Sequence, residues 1–244
     1  MSAAGTKSHL QTKVFRVEQF RNPELPAERR AELMAAEDEP LDLSVQGVLD
    51  EAMAQTGLSD FGPMDFTERL EALLGEVGGN ANLWRFAKAN FRAACVKQAA
   101  NRLKNKAYLD NHPEVESIVI DRPIIIVGLP RSGTTHLENL IASDRRLRHL
   151  PVYLGSEAVP GPGEEAGRDG PDPRWLRSNA HWERMKQNAI MAAMHEHSPD
   201  HACGENELQM PDFTTYQWEW MAEVPGWRDY LLGHDQTPHY AYGK

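Results

Sequence analysis

A glycine-rich loop that carries hydroxyl and guanidinium side chains is the part of this sequence best suited to chemistry. We call residues 128–135 the glycine loop. Gly128 and Gly133 within it have the spacing Gly-x-x-x-x-Gly. A fixed positive charge, hydroxyl donors and the backbone N–H groups of a tight turn together favour a phosphate-like anion. The alternative is a turn whose glycines serve only close packing, which leaves the charge and hydroxyls unexplained. The polar side chains are those of Arg131, Ser132, Thr134 and Thr135.

The residues on either side of the glycine loop predict the elements that position it. Ile124–Val127 form a continuous apolar run, which is typical of a strand buried on both faces of a parallel sheet. After the loop, Leu137, Leu140 and Ile141 share one face of a helix. A strand, a glycine loop and a helix bring the positive end of the helix to one anion. We therefore predict an α/β fold with a P-loop-like parallel sheet core and a helical N-terminal region.

The same glycine spacing occurs in the phosphate loop of nucleotide hydrolases, but the next residue differs. Thr134 stands where that motif has the lysine that meets the terminal phosphates of ATP. The cation within the loop is Arg131 instead. We therefore expect a phosphate-like ligand other than ATP with magnesium. A nucleotide-binding kinase or hydrolase remains an alternative, and so does a non-catalytic nucleotide-binding protein.

The stretch Pro130-Arg131-Ser132-Gly133-Thr134-Thr135 resembles the 5′-phosphosulfate loop of the sulfotransferases that use PAPS (3′-phosphoadenosine 5′-phosphosulfate). It is most similar to the bacterial branch, in which arginine replaces the lysine of the animal cytosolic enzymes. The resemblance implies an enzyme that moves the sulfuryl group of PAPS to a hydroxyl or amine of a small-molecule acceptor, without a metal. It extends over approximately residues 45–244, with further pieces at Asn101-Arg102-Leu103, His112-Pro113-Glu114 and Thr237-Pro238-His239-Tyr240.

The resemblance also implies which loop residues bind the donor. Arg131, Ser132, Gly133, Thr134 and Thr135 would hold the phosphosulfate end of PAPS. Arg131 would also stabilise the charge that develops on the leaving phosphate, by analogy with phosphoryl transfer. Because a guanidinium does not readily give up a proton, we interpret Arg131 as an electrostatic clamp rather than a proton donor.

An acceptor hydroxyl needs a general base, and the sequence offers three candidates. The cytosolic enzymes of the resembled family use a histidine, and several bacterial ones use a glutamate. Glu205, Glu207 and His201 lie on a polar connector, residues 195–208, that follows the loop along the chain. We favour Glu205 as the base, and the assignment among the three stays open at this point.

Helical patterns dominate the sequence before the loop. Residues 1–40 are predicted to form a mobile arm with a short acidic helix at 25–38, and residues 41–116 a helical N-terminal region. Residues 117–244 would then be the N-terminal part of the sulfotransferase P-loop-like domain. The predicted helices of the middle region are 44–56 with Gly57 as its stop, 65–78 with Asp65 as its N-cap, and 82–111 with Pro113 as its stop.

Three further patterns concern elements outside the glycine loop. One side of the third predicted helix is basic and includes Arg102; we interpret it as a solvated face, and a stripe that guides an anionic donor is the alternative. Ser117–Ile120 and Arg146–Leu154 are predicted as two short strands. Asp172-Pro173 is predicted to start a helix that runs to about residue 195, with a capping side chain followed by proline.

Composition limits the classes of function that the chain can have. The net charge of −10 and the pI of about 5.5 argue against a general nucleic-acid binder. Cys95 and Cys203 form no CxxC pair, which favours a reducing cytoplasm. Residues 1–11 lack the apolar region of a signal peptide, and no apolar run is long enough for a membrane span. The sequence also lacks a zinc motif.

The sequence offers few strands for a complete parallel sheet. After residue 155 no β-rich run appears, and we find no counterpart of the arginine and serine that bind the 3′-phosphate of PAPS in the resembled family. We therefore expect residues 1–244 to be the N-terminal part of a longer sulfotransferase. On this expectation, the 244 residues alone would be inactive.

Overall fold

A computed structural model of the chain describes residues 26–35, 37, 39–129, 131–164, 170–187 and 196–243. The chain divides into two units, residues 1–40 and residues 41–244. In the first unit the described residues form α1 (Ala27–Ala35), within the predicted acidic helix; residues 1–25 of the predicted arm lie outside the described residues. The second unit begins with α2 (Val45–Thr56), α3 (Phe66–Gly79), α4 (Arg85–Asn111) and a 3₁₀ helix (Pro113–Ser117). It continues with α5 (Thr134–Ala142), α6 (Val152–Ser156), α7 (Pro173–Lys186), α8 (Asn206–Gln209), a second 3₁₀ helix (Met210–Asp212), α9 (Gln217–Met221), α10 (Pro225–Leu232) and α11 (Thr237–Tyr242).

The predicted helix ends are largely confirmed because local chemistry sets them. The Ser44 hydroxyl accepts a hydrogen bond from the Gly47 N–H at 3.0 Å, and Gly57 ends α2 in the left-handed conformation. Asp65 precedes α3 as predicted, but its carboxylate caps no backbone N–H. It accepts a hydrogen bond from Arg69 Nη1 at 3.1 Å instead. The Asp172 carboxylate caps α7 as predicted, and the predicted end of that helix lies in residues 188–195, outside the described residues.

One hydrophobic core joins the early helices to the last quarter of the chain. Phe66, at the start of α3, stacks on Phe213 with ring centroids 5.8 Å apart. Phe213 in turn stacks on Trp218 at 5.4 Å, and Phe91 of α4 packs against Trp218 at 5.3 Å. Trp227 of α10 is also fully buried in this core. The core therefore draws on both of the predicted regions that meet at residues 116 and 117, and that domain boundary stays a prediction.

A cluster of buried charges lies beside the aromatic core. Asp212 Oδ1 accepts hydrogen bonds from Arg69 and from Arg102, each at 2.8 Å, and Asp212 Oδ2 lies 2.8 Å from His239 Nδ1. All four residues are less than 9% exposed. The interpretation of Arg102 as part of a solvated face is therefore wrong: its guanidinium bonds Asp212 in the interior. The cluster connects α3, α4, the second 3₁₀ helix and α11.

The predicted sheet is not formed by the residues that the structure describes. Ile124–Val127 lie outside any strand, and the Ile125 and Val127 side chains are 75% and 89% exposed. Ser117 ends a 3₁₀ helix, and the segment Arg146–Leu154 leads into α6, so neither of the two short strands forms. An isolated antiparallel bridge joins Pro151 and Ala202. A parallel strand needs neighbours on both sides, and in the described residues no such neighbours are formed. Separately, none of the described helices is long and apolar enough to cross a membrane.

Candidate active site

The glycine loop makes a tight turn that ends at the N-terminus of α5. Arg131 and Gly133 have φ values of 68° and 93°, both in the left-handed region. The Ser132 N–H donates to the Leu129 carbonyl at 3.1 Å, and the Gly133 carbonyl accepts from the Leu137 N–H at 3.0 Å. Left-handed backbone at a non-glycine residue is uncommon and clusters at functional sites. The sequence did not reveal this conformation at Arg131.

Gly128 is needed at its position because two side chains of the loop lie against its backbone. A Cβ atom added to Gly128 would lie 2.7 Å from Thr134 Cγ2 and 2.8 Å from Ser132 Oγ. Both distances are shorter than any contact a real Cβ makes. The loop therefore closes over its first glycine, and a larger residue there would push the Ser132 and Thr134 side chains away.

The structure brings all five predicted binding residues together in one exposed turn. Arg131, Ser132 and Gly133 are exposed, and Thr134 and Thr135 are half-buried at the start of α5. Pro130 lies outside the described residues. The first turn of an α-helix directs N–H groups outward and carries a partial positive charge, so this end of α5 suits an anion. Across the described ranges, no group of three or more His, Cys, Asp or Glu side chains could hold a metal ion.

The connector that carries the candidate bases is attached beside α5. The Val152 N–H donates to the His201 carbonyl at 2.9 Å, and the Cys203 N–H donates to the Leu150 carbonyl at 2.9 Å. From α5, the Asn139 side chain reaches across and accepts a hydrogen bond from the Ala202 N–H at 2.9 Å. The connector is therefore hydrogen-bonded to the same short helix whose N-terminus follows the glycine loop. Asn139 was missed in the sequence, where its signal was only a polar residue within an apolar helix.

Glu205 lies exposed at the start of α8, and its charge acts on α5. Partial burial and the Glu205 carboxylate raise the pKa of Glu138 on α5, while His149 opposes the shift. Glu207 is half-buried and accepts a hydrogen bond from Gln217 Nε2 at 3.1 Å. His201 lies 3.4 Å from Asn139 through its Nδ1 atom. Of the three candidate bases, Glu205 is thus the exposed one near α5.

Cys203 is held as a neutral thiol in this part of the chain. Burial, and then the carboxylates of Glu207, Glu138 and Glu205, raise the pKa of Cys203 to about 12. A Cβ on Gly155 would lie 2.6 Å from Cys203 Sγ, so the thiol packs directly against the α6 backbone. Since the thiolate is the nucleophilic form, this shift disfavours a nucleophilic role for Cys203 at neutral pH.

Comparisons with known proteins identify a family for the part of the chain that holds the glycine loop. Residues 123–243 match the profile of the sulfotransferase family. This segment, which includes the glycine loop, therefore belongs to the sulfotransferase family. Comparison with curated protein sequences gives no match.

Two solved structures resemble the chain. One is sulfotransferase STF1 from Mycobacterium tuberculosis H37Rv, at 25% sequence identity and a TM-score of 0.68; the match covers 85% of this chain and 56% of STF1. The other is sulfotransferase STF9 from Mycobacterium avium, at 23% identity and a TM-score of 0.69; the match covers 85% of this chain and 53% of STF9. Sulfotransferases have an α/β fold, so the predicted fold class agrees with these neighbours, although the described residues form no sheet.

The chain spans just over half the length of these two sulfotransferases. The activity, substrates and partners of the whole protein are therefore proposals. The expectations that the 244 residues are an N-terminal part and are inactive alone stay predictions.

Proposed function

We propose that the protein is a PAPS-dependent sulfotransferase that moves a sulfuryl group to a hydroxyl or amine of a small-molecule acceptor. The observation that carries the proposal is the glycine loop, whose side chains close over Gly128 and whose exposed Arg131 comes shortly before the first turn of α5. The family match begins at residue 123, immediately before this loop. Cys95 and Cys203 are free, and the proposed compartment is the cytoplasm.

The residues of the loop fit the phosphosulfate end of PAPS. Backbone N–H groups of the first turn and the hydroxyls of Ser132, Thr134 and Thr135 would donate hydrogen bonds to its oxygens. Arg131 would neutralise the charge that grows on the bridging oxygen as the S–O bond breaks and 3′,5′-bisphosphoadenosine leaves. Gly133 permits the turn because of its positive φ.

Glu205 would act as the general base on the acceptor. It would take the proton of the acceptor hydroxyl as the acceptor oxygen bonds to sulfur, so that charge stays balanced between the two ends of the transfer. Three facts favour Glu205 over the other candidates. It is exposed, its charge reaches α5, and Glu207 is engaged with Gln217.

The proposal predicts that 3′,5′-bisphosphoadenosine binds more tightly than ATP with magnesium. The reason is Thr134, which replaces the lysine that contacts the terminal phosphates in nucleotide hydrolases. Isothermal calorimetry on the protein that carries this chain compares the two ligands at the same ionic strength. Tighter binding of ATP with magnesium would favour the kinase or hydrolase alternative.

Replacing Arg131 by alanine is expected to lower turnover of PAPS by about 100- to 1000-fold, because one preorganised donor to a developing charge is worth ~2.7–4 kcal/mol. The measurement is release of 3′,5′-bisphosphoadenosine in the presence of a panel of small hydroxyl and amine acceptors. Arg146→Ala is the matched control, since Arg146 is an exposed arginine after α5 that pairs with Asp144. Near-normal turnover in Arg131→Ala, or an equal loss in Arg146→Ala, would remove Arg131 from the mechanism.

A further inference from the structure

We propose that Asn139 is a positioning residue that fixes the connector, and with it Glu205, relative to the glycine loop. The inference rests on the proposed function and deepens it, because it names the side chain that links the donor end of the site to the acceptor end. Asn139 lies on α5, four residues after Thr135 of the loop. Since α5 is one continuous helix, Asn139 and the first turn that follows the loop share one rigid frame.

The oxygen and the nitrogen of the Asn139 side-chain amide both contact the backbone of one connector residue, Ala202. Its Oδ1 atom accepts from the Ala202 N–H at 2.9 Å, and its Nδ2 group lies 3.5 Å from the Ala202 carbonyl oxygen. The same Nδ2 group donates to the Thr135 carbonyl at 2.9 Å and lies 3.4 Å from His201 Nδ1. The amide therefore joins the backbone of the loop end of α5 to the backbone of the connector.

The other side of the connector is fixed independently of Asn139. The His201 carbonyl and the Cys203 N–H are bonded to the backbone at Val152 and Leu150. Ala202 is 2% exposed, so its N–H depends on Asn139 rather than on water. The segment 201–203 is thus hydrogen-bonded on two sides, and Glu205 follows two residues after it.

Only a side chain with both a donor and an acceptor can make this pair of contacts. Leucine has nearly the same size as asparagine but neither function. Aspartate keeps the acceptor for the Ala202 N–H and places a charged oxygen near the Ala202 carbonyl. Both substitutions therefore remove the donor, and Asn139→Leu removes the acceptor as well.

Hydrogen exchange tests, independently of catalysis, whether Asn139 holds the connector in place. In the protein that carries this chain, Asn139→Leu is expected to speed exchange of the amides of residues 201–205, while the amides of α4 keep their protection. Asn111→Leu is the matched control, because Asn111 makes the same bond to a carbonyl of its own helix, at 2.7 Å to Ala107, and is exposed. Unchanged exchange at 201–205 in Asn139→Leu would overturn the proposal.

Kinetics tests the positioning role. Asn139→Leu is expected to lower kcat by about 10- to 100-fold, because a small misplacement of a catalytic group has costs of this size. The KM for PAPS and the calorimetric affinity and stoichiometry for 3′,5′-bisphosphoadenosine should stay near the wild-type values, since the glycine loop is intact. If kcat fell only as far as the fraction of protein that still binds 3′,5′-bisphosphoadenosine, the substitution would have unfolded part of the protein. Asn139 would then have a merely structural role. An unchanged kcat would likewise overturn the proposal while the proposed function stands. If the wild-type protein turned over no PAPS, the proposed function itself would fail.

Discussion

Replacing Asp212 by alanine is expected to lower the free energy of unfolding by about 3–5 kcal/mol, because it leaves the buried positive charge of Arg102 without its carboxylate partner. Asp212 is 4% exposed and receives two arginine hydrogen bonds on one carboxylate oxygen. Arg69 and Arg102 are each 3% exposed, so water cannot replace the lost carboxylate. The rest of the Arg102 guanidinium stays bonded to the backbone carbonyls of Phe61 at 2.9 Å and Pro63 at 2.8 Å, and Arg69 keeps the Asp65 carboxylate at 3.1 Å. Both charges therefore remain in the interior.

Urea denaturation followed by circular dichroism measures this effect. Asp212→Asn is expected to lose less than Asp212→Ala, since an amide oxygen still accepts one hydrogen bond. Asp229→Ala is the matched control: its carboxylate pairs with Arg228 on the surface of α10, where the side chain is 72% exposed. That control should change stability by no more than about 0.5 kcal/mol. If Asp212→Ala behaved like the control, the buried charges would not hold these helices together.

The helices could be predicted because their signals are local in the sequence. Ser44 and Gly57 set the ends of α2, and Asp172 with Pro173 sets the start of α7. Each signal acts through contacts within a few residues, so it does not depend on how the rest of the chain packs.

The buried charge cluster could not be predicted because its members are far apart along the chain. Arg102 follows a run of cations on one side of a helix, and such a run is usually solvated. Its partner Asp212 lies 110 positions further on, and no local pattern joins the two. The pieces that resembled the sulfotransferases contained Arg102 and His239, and the structure links those residues through Asp212.

The predicted strand at Ile124–Val127, which does not form, shows a second limit on what the sequence alone can predict. A fully apolar run predicts burial on both faces, which depends on partners elsewhere in the protein. No strand forms along the described ranges to supply them, and Ile125 and Val127 lie exposed. The glycine loop that follows depends less on those partners. Its five predicted residues are contiguous, so they come together whether or not the sheet forms.

The position of Glu205 beside α5 depends on the pairing of residues 150–152 with 201–203 and on Asn139, neither of which leaves a pattern in the sequence. Candidate bases could be found by residue type, but three remained. The structure separates them by exposure and by hydrogen-bond partner, and this difference is the basis of the last prediction.

Replacing Glu205 by glutamine is expected to lower turnover of PAPS by about 10²- to 10⁴-fold, the contribution of a typical general base. Glutamine keeps the size and an acceptor oxygen of the side chain but cannot take up a proton. Affinity for 3′,5′-bisphosphoadenosine should not change, because the donor is held by the glycine loop. Turnover and calorimetry on the same preparation separate the two effects.

Two comparisons make the Glu205 prediction specific. Glu223→Gln, an exposed carboxylate between α9 and α10, should leave turnover unchanged. Glu207→Gln is expected to have a smaller effect than Glu205→Gln, because Glu207 already serves as an acceptor for Gln217 and a glutamine oxygen can accept the same bond. A large loss in Glu207→Gln or His201→Ala, with normal turnover in Glu205→Gln, would move the base to that residue. A base at Glu207 or at His201 would still lie on the connector, because all three candidates belong to this segment, which is hydrogen-bonded to α5.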